Sequence, residues 1–150
     1  MCVIYYGVFM KNNDLFYLQL AYKRSQIAFL NNNVPVGCVI TDKNGMLISS
    51  SNINSKSSDN INHAEMLSLF KYNNIKNKVH NAGIYISLIP CPMCSGAIYI
   101  NNIKKCVYGA DSNDNFYNEV FHMNMRRRYV KSYLKERCSK IVKLFFLVRR

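Results

Sequence analysis

The chain has no uninterrupted apolar run approaching the ~18 residues that a membrane-spanning helix requires. Its apolar N-terminal stretch, Cys2 to Met10, has no basic residues before it and no small-residue cleavage site, so it does not read as a secretory signal. Internal repeats and long linkers are also missing. Cysteine is present but not dense: of six, Cys2, Cys38, Cys106 and Cys138 stand singly, and only Cys91 and Cys94 cluster. A disulfide framework is usually denser and smaller, whereas a lone C-x-x-C in a reducing compartment points to metal or redox work. These absences predict a cytoplasmic protein. Acidic residues are the scarcest charged group, 8 against 20 basic ones, for a net charge of +12. Such a field attracts phosphate backbones. The competing explanation is solubility together with the Asn, Lys, Ile and Tyr enrichment that an AT-rich genome produces.

What remains is a chain of 150 residues, 49% hydrophobic, enough for one domain with a real core. From Asp14 to Leu30, the positions Leu18, Ala21, Tyr22, Ser25, Ala28 and Phe29 recur at helical spacing. Asn31 to Asn33 end that helix, and Val36 to Ile40 reads as a buried strand. Asp42 to Gly45 is a hairpin-type turn, with Met46 to Ser50 returning. Ser55 to Asn62 reads as a loop. A helix is expected over Ala64 to Tyr72, with Met66, Leu67, Leu69 and Phe70 available for packing. Ala82 to Leu88 is a strand, Pro90 to Ile100 a helix opened by proline, and Cys106 to Tyr108 a short strand. Val130, Leu134, Cys138, Ile141, Phe145 and Val148 form the apolar stripe of a last helix. Alternating helices and strands with one early hairpin predict an α/β sandwich with a mixed sheet.

Two short segments carry chemistry: His63-Ala64-Glu65 and Pro90-Cys91-Pro92-Met93-Cys94. Each is weak alone. In this order, about 25 residues apart, they match the signature of zinc-dependent base deaminases. The chemistry accounts for the residue types. Zinc accepts imidazole and thiolate, and three protein ligands leave a fourth position open. Cys91 and Cys94, at i and i+3 in a first helical turn, face the same side, and the positive end of the helix favours thiolates. His63, Cys91 and Cys94 are thus the candidate ligands of one Zn2+, and Glu65 is the acid–base group that moves protons. A structural zinc site would need a closed fourth ligand, for which Cys106 is nearest, although its apolar strand suits the core. A redox C-x-x-C leaves His63 and Glu65 unexplained. Cys38 reads as core, and His80 and His122 as surface or local groups.

On these residues the chain resembles the bacterial tRNA-specific adenosine deaminases of the cytidine/deoxycytidylate deaminase superfamily. The likeness runs from about Asp14 to Arg150. It takes in Val34-Pro35-Val36-Gly37, Asn52, both zinc segments, Gly96-Ala97, Val107-Tyr108-Gly109-Ala110, Phe145-Phe146 and Arg149-Arg150. The resemblance implies a three-layer α/β/α sandwich around a mixed five-stranded sheet, a homodimer, and an anticodon loop whose target base is flipped into the zinc pocket. It further implies that Asn52 and the backbone of Ala64 contact the purine. The reaction it implies is adenosine to inosine at the first anticodon (wobble) position of tRNA. No membrane is expected, nor any protein partner beyond a second copy. Basic residues Arg126, Arg127, Arg128, Lys131, Arg149 and Arg150 are the candidate phosphate contacts.

The chain departs from the family pattern in three places. Ile89 stands where the family usually has glutamate, Asn62 where a small residue is common, and the polar and aromatic Asp111 to Asn118 replaces a small-residue segment. Residues 1–13 read as an N-terminal extension, with Met10 an alternative start, ahead of a deaminase domain over 14–150. Two other functions share the motif. One is a free-base deaminase acting on guanine or cytosine. The other is a non-catalytic RNA-binding subunit that keeps zinc for folding, for which Glu65 would be superfluous.

Overall fold

The computed structural model describes residues 4–5, 8–9, 12–42, 47–53, 61–75, 82–103, 105–111 and 134–149. Two short strands, β1 (Ile4–Tyr5) and β2 (Val8–Phe9), pair with each other antiparallel, apart from the main sheet. The sequence then alternates as its periodicities predict: α1 (Asn12–Leu30), β3 (Gly37–Thr41), β4 (Leu47–Ser51), α2 (Ala64–Asn73), β5 (Gly83–Leu88), α3 (Pro92–Ile100), β6 (Lys105–Ala110) and α4 (Leu134–Val148). The sheet runs in the order β4-β3-β5-β6. β3 is antiparallel to β4 and to β5, whereas β5 and β6 are parallel, joined by α3. No described helix is long and apolar enough to cross a membrane.

Strand alternation sorts the core into two layers. Cys38 and Ile40, Ile84 and Ile86, and Cys106 and Tyr108 face one side, where Ala64, Leu69 and Tyr72 of α2 and Ile98 of α3 cover them. Val39, Tyr85 and Val107 face the other side, under Leu18 and Ala21 of α1 and Leu134 and Cys138 of α4. The result is the three-layer α/β/α sandwich with a mixed sheet. The expected fifth strand is corrected to four among the described residues. Residues 112–133 lie outside the described residues, among them Val130, His122 and the basic residues Arg126 to Arg128 and Lys131. The hairpin tip 43–46 and most of the Ser55 to Asn62 loop lie outside them too, as do His80 and Arg150.

On two helices a residue expected in the core is exposed. On α2, Phe70 is 71% exposed, and the inner face is Ala64, Glu65, Ser68, Leu69 and Tyr72. This face has to carry polar groups because Glu65 is turned inward, and helical spacing then brings Ser68 with it. On α4, Leu134, Cys138 and Phe145 are buried as predicted, but Val148 is 73% exposed. A buried ionic cluster fixes the start of α1: the Asp14 carboxylate accepts from the Tyr85 hydroxyl at 2.8 Å and from the Lys105 ammonium. Burying that carboxylate would be costly without both donors.

The helices sit close on the sheet at two glycines. A Cβ built on Gly37 would lie 2.1 Å from the Ala21 carbonyl and 2.5 Å from the Ser25 nitrogen of α1. One on Gly109 would lie 2.5 Å from Cys138 Sγ of α4 and 2.8 Å from the Ser87 carbonyl. At Gly37 the obstacle is backbone, which cannot rotate away. Gly37→Ala is therefore expected to destabilise the fold by at least about 1–3 kcal/mol, the usual cost of overpacking. Urea denaturation checks this, with the wild-type midpoint as the reference.

Candidate active site

The site is built from two helix N-termini. His63 is the N-cap of α2 and Cys91 the N-cap of α3, both with extended backbone. Caps are usually Ser, Thr, Asp or Asn, whose side chains bond the first free N–H groups of their own helix. Here neither side chain makes such a bond. Each points to the other instead. His63 Nδ1 lies 3.5 Å from Cys91 Sγ and 3.4 Å from Cys94 Sγ, the latter in the first turn of α3. The ligand atoms of the three residues all lie within 4.8 Å of one another.

Several backbone contacts hold this geometry. Pro90 is buried and Pro92 opens α3, a position where its missing N–H costs nothing. Ser95 Oγ donates to the Pro90 carbonyl at 3.3 Å, and the Ile89 N–H donates to the Ala110 carbonyl at 2.8 Å. Ile89 itself packs into the core beside α2 and α3, so this position is apolar by burial. On the α2 side, the His63 N–H donates to the Ile61 carbonyl at 2.7 Å, and the Ile53 N–H to the Asn62 carbonyl at 3.2 Å. The second bond brings the end of the β4 segment alongside the start of α2. Asn52, 6% exposed, donates its N–H to the Val36 carbonyl at 2.9 Å. Ala64 is buried at the first helical position, where a backbone N–H has no intrahelical acceptor.

Charge is distributed unevenly in this cluster. Hydrogen bonds from Cys94 and then from His63 pull the Cys91 thiol down to about 4, against its burial. The Cys94 thiol is pushed the opposite way, first by its bond to Cys91 and then by burial. His63 is raised, chiefly by its bond to Cys91. Glu65 is 3% exposed, and burial pushes its carboxyl up to about 7. Its Oε2 has no hydrogen-bond partner among the described residues. A buried carboxyl with one oxygen left unpartnered is costly to keep in an apolar core, unless a cation or a substrate donor meets it.

The residues fit zinc. Tetrahedral zinc with N and S ligands places neighbouring donor atoms about 3.5 Å apart, and the two His63–cysteine separations match that. Cys106, the candidate fourth ligand of a closed structural site, is buried in the core and is not part of this cluster. The three donors therefore leave a coordination position for another group, as catalytic zinc requires. Cys38 is also core, as expected.

Residues 11–110 match the model for the cytidine and deoxycytidylate deaminase zinc-binding region. The chain belongs to this deaminase family. Among relatives of this zinc-binding family, the tRNA-specific adenosine deaminase of Buchnera aphidicola subsp. Schizaphis graminum is 30% identical over 148 residues, covering 93% of this chain and 97% of that protein. A probable cytosine deaminase of Schizosaccharomyces pombe is 34% identical over 106 residues, spanning 71% of this chain but 65% of that protein. A solved structure from work on A-to-I editing by tRNA:A34 deaminases superimposes with a TM-score of 0.59 at 26% identity, covering 67% of this chain and 78% of its own. Together with the metal cluster, family membership makes the protein a zinc-dependent hydrolytic deaminase.

If these three side chains hold the metal, the Cys91→Ser, Cys94→Ser double variant should purify without zinc, whereas the unaltered chain carries about one ion. Elemental analysis against protein concentration makes the comparison, and full occupancy in the double variant would refute the assignment.

Proposed function

We propose that the protein deaminates adenosine to inosine at the first anticodon position of tRNA. The observation that carries this reading is the buried Glu65 beside the His63–Cys91–Cys94 cluster, in a chain similar to a tRNA-specific enzyme over nearly its full length. His63, Cys91 and Cys94 hold the zinc. The metal's contribution, when bound, is a water acidified from a pKa of ~15.7 towards ~7 and kept in place as the nucleophile.

Glu65 moves the protons: its carboxylate takes one from the attacking water and delivers it to the purine ring nitrogen, then takes the second from the newly attached hydroxyl and passes it to the amine, which leaves as ammonia as the carbonyl forms. Its burial excludes bulk water from that path, and its position on the first turn of α2 fixes it beside the metal cluster. Asn52 holds the purine by its side-chain amide and the backbone N–H of Ala64 meets the base edge, both at the rim formed by the β4 segment and α2. Recognition of the RNA lies outside this small pocket, on the basic surface of a domain spanning 14–150. Lys140 and Lys143 on the outer side of α4 contribute to that surface. A loop base is already partly unstacked and costs little to extrude, which suits the wobble position. The protein acts in the cytoplasm as a homodimer, for which exposed Phe70, Tyr99 and Ile100 on α2 and α3 offer apolar surface.

Similarity to a probable cytosine deaminase keeps a free-base reading in view. The net charge of +12 favours the polyanionic substrate, since a free base gives that charge no partner. A zinc-holding, non-catalytic subunit would have no use for a buried carboxyl at the metal.

An anticodon stem-loop carrying adenosine at its first anticodon position should accumulate inosine when incubated with the zinc-loaded protein. Free adenosine, guanine and cytosine should react far more slowly. Nucleoside analysis by mass spectrometry reads both, and rapid turnover of guanine with no inosine in the RNA would sink the proposal. In the same assay Glu65→Ala should keep its zinc and its melting temperature yet lose at least ~10²-fold in kcat, the usual contribution of a general acid–base group.

A further inference from the structure

Arg149 follows the last turn of α4 and is exposed, yet its side chain turns back onto the fold. Its guanidinium Nη2 donates to the backbone carbonyl of Asn32 at 2.6 Å. Its Cζ lies 4.2 Å from the centre of the Phe145 ring. Phe145 is buried and meets Phe29 of the last turn of α1, ring centres 6.2 Å apart in an edge-on arrangement. One side chain thus bonds the turn that ends α1 and stacks on the ring that packs against it.

The receiving turn has a reason to want a cation. The α1 helix ends by bending back: the Asn32 N–H donates to the Phe29 carbonyl and the Asn33 N–H to the Ala28 carbonyl, with Asn32 in the left-handed region at φ 59°. The end of a helix carries partial negative charge and leaves its last carbonyls without intrahelical donors. A helix usually supplies a basic residue there from its own last turn, and α1 has none. Arg149, brought from α4, fills that role.

The turn leads to the pocket rim. After Asn33 the chain passes through fully buried Pro35 to Val36, whose carbonyl accepts the Asn52 N–H at 2.9 Å. At the next residue, the Gly37 N–H donates to Ser87 Oγ at 3.0 Å. The segment from Asn32 to Gly37 is therefore short, anchored at both ends and stiffened by a proline, and Asn52, just past β4, bonds to it at Val36. We infer that Arg149 is a positioning residue: by latching α4 to the α1–β3 turn it sets the segment to which Asn52 bonds, and it is not a phosphate contact. This inference rests on the role proposed for Asn52 in holding the purine.

Arg149→Gln and Arg149→Lys separate the roles, because lysine keeps the charge but lacks the planar fork that stacks on a ring and bonds a carbonyl together. As a latch, Arg149 should give both variants a KM for the anticodon stem-loop raised roughly 3–10-fold, a size usual for coupled residues. Zinc content should be unchanged and the log–log salt slope of binding should match the unaltered protein. The KM effect should vanish when either change is added to Asn52→Ala. A salt slope shallower by about 0.7 in the Gln variant alone would make Arg149 a phosphate contact and overturn the inference. A lowered melting temperature with unchanged KM would overturn it as well, leaving a purely structural clasp. Amide hydrogen exchange reads the latch without any catalysis. The Asn52 N–H should exchange faster in Arg149→Gln, and unchanged protection there refutes the latch even if the substrate were a different one.

Discussion

The constraint on which the rest of the molecule depends is the meeting of two helix N-termini at one point on the same side of the sheet. The α2 and α3 helices each begin with a residue that would normally cap its own helix but faces its neighbour instead. That exchange works only if both helices start at fixed places. The parallel pairing of β5 with β6, bridged by α3, determines where Cys91 emerges, since the chain turns at Ile89 and Pro90 directly beyond β5. The hairpin of β3 and β4, pairing outward from β5, brings Asn52 and then the approach to His63 back to the same end of the sheet. The positive ends of both helices then point at one small volume. Thiolates are favoured there, and a buried carboxyl can be tolerated once a cation joins them.

How much of this was legible in the sequence depends on the range of the interaction involved. The gathering of His63, Cys91 and Cys94, with Glu65 buried beside them, could be read because their order and spacing are local, and because thiol, imidazole and carboxyl chemistry restricts what they can do together. Every helix and every strand of the main sheet was placed to within a few residues, since periodicity reports which face is buried. The inner face of α2 was misread because Met66, Leu67 and Phe70 are more apolar than Ser68. Apolarity alone cannot show that a functional carboxyl has claimed the buried side and carried Ser68 in with it. Val148 was misread for a simpler reason. It continues the α4 stripe beyond Phe145, the last residue of the helix that is buried, into the exposed last turn. Arg149 was read as a phosphate contact, because a backbone carbonyl 117 residues away leaves no mark on local sequence.

The same limit applies to charge. A net +12 suggests a uniformly cationic surface, but the fold gives several of these cations partners within the chain. Lys105 is bound to Asp14, Lys135 to Asp111 at 2.5 Å, and Arg24 donates to Ser49 Oγ at 2.8 Å. Lys71 reaches Ser50 Oγ at 3.1 Å, and Arg149 is bound to the α1 turn. Of these, Arg24 and Lys71 bracket β4, an edge strand whose outward backbone groups would otherwise invite pairing with another chain, so part of the basic character guards the fold. The net already counts both ion pairs, and neutral partners cancel no charge, so +12 remains to attract RNA, and its exposed cations stand on particular elements. The outer side of α4 is one, where Lys140 and Lys143 stand exposed. On the proposed function, the zinc cluster and Glu65 would select the base chemically, and the basic surface would have only to hold the loop long enough for that base to turn in. A protein that gripped the whole polyanion would gain affinity spread along the RNA, and with it slow release of product, without any gain in discrimination at the zinc.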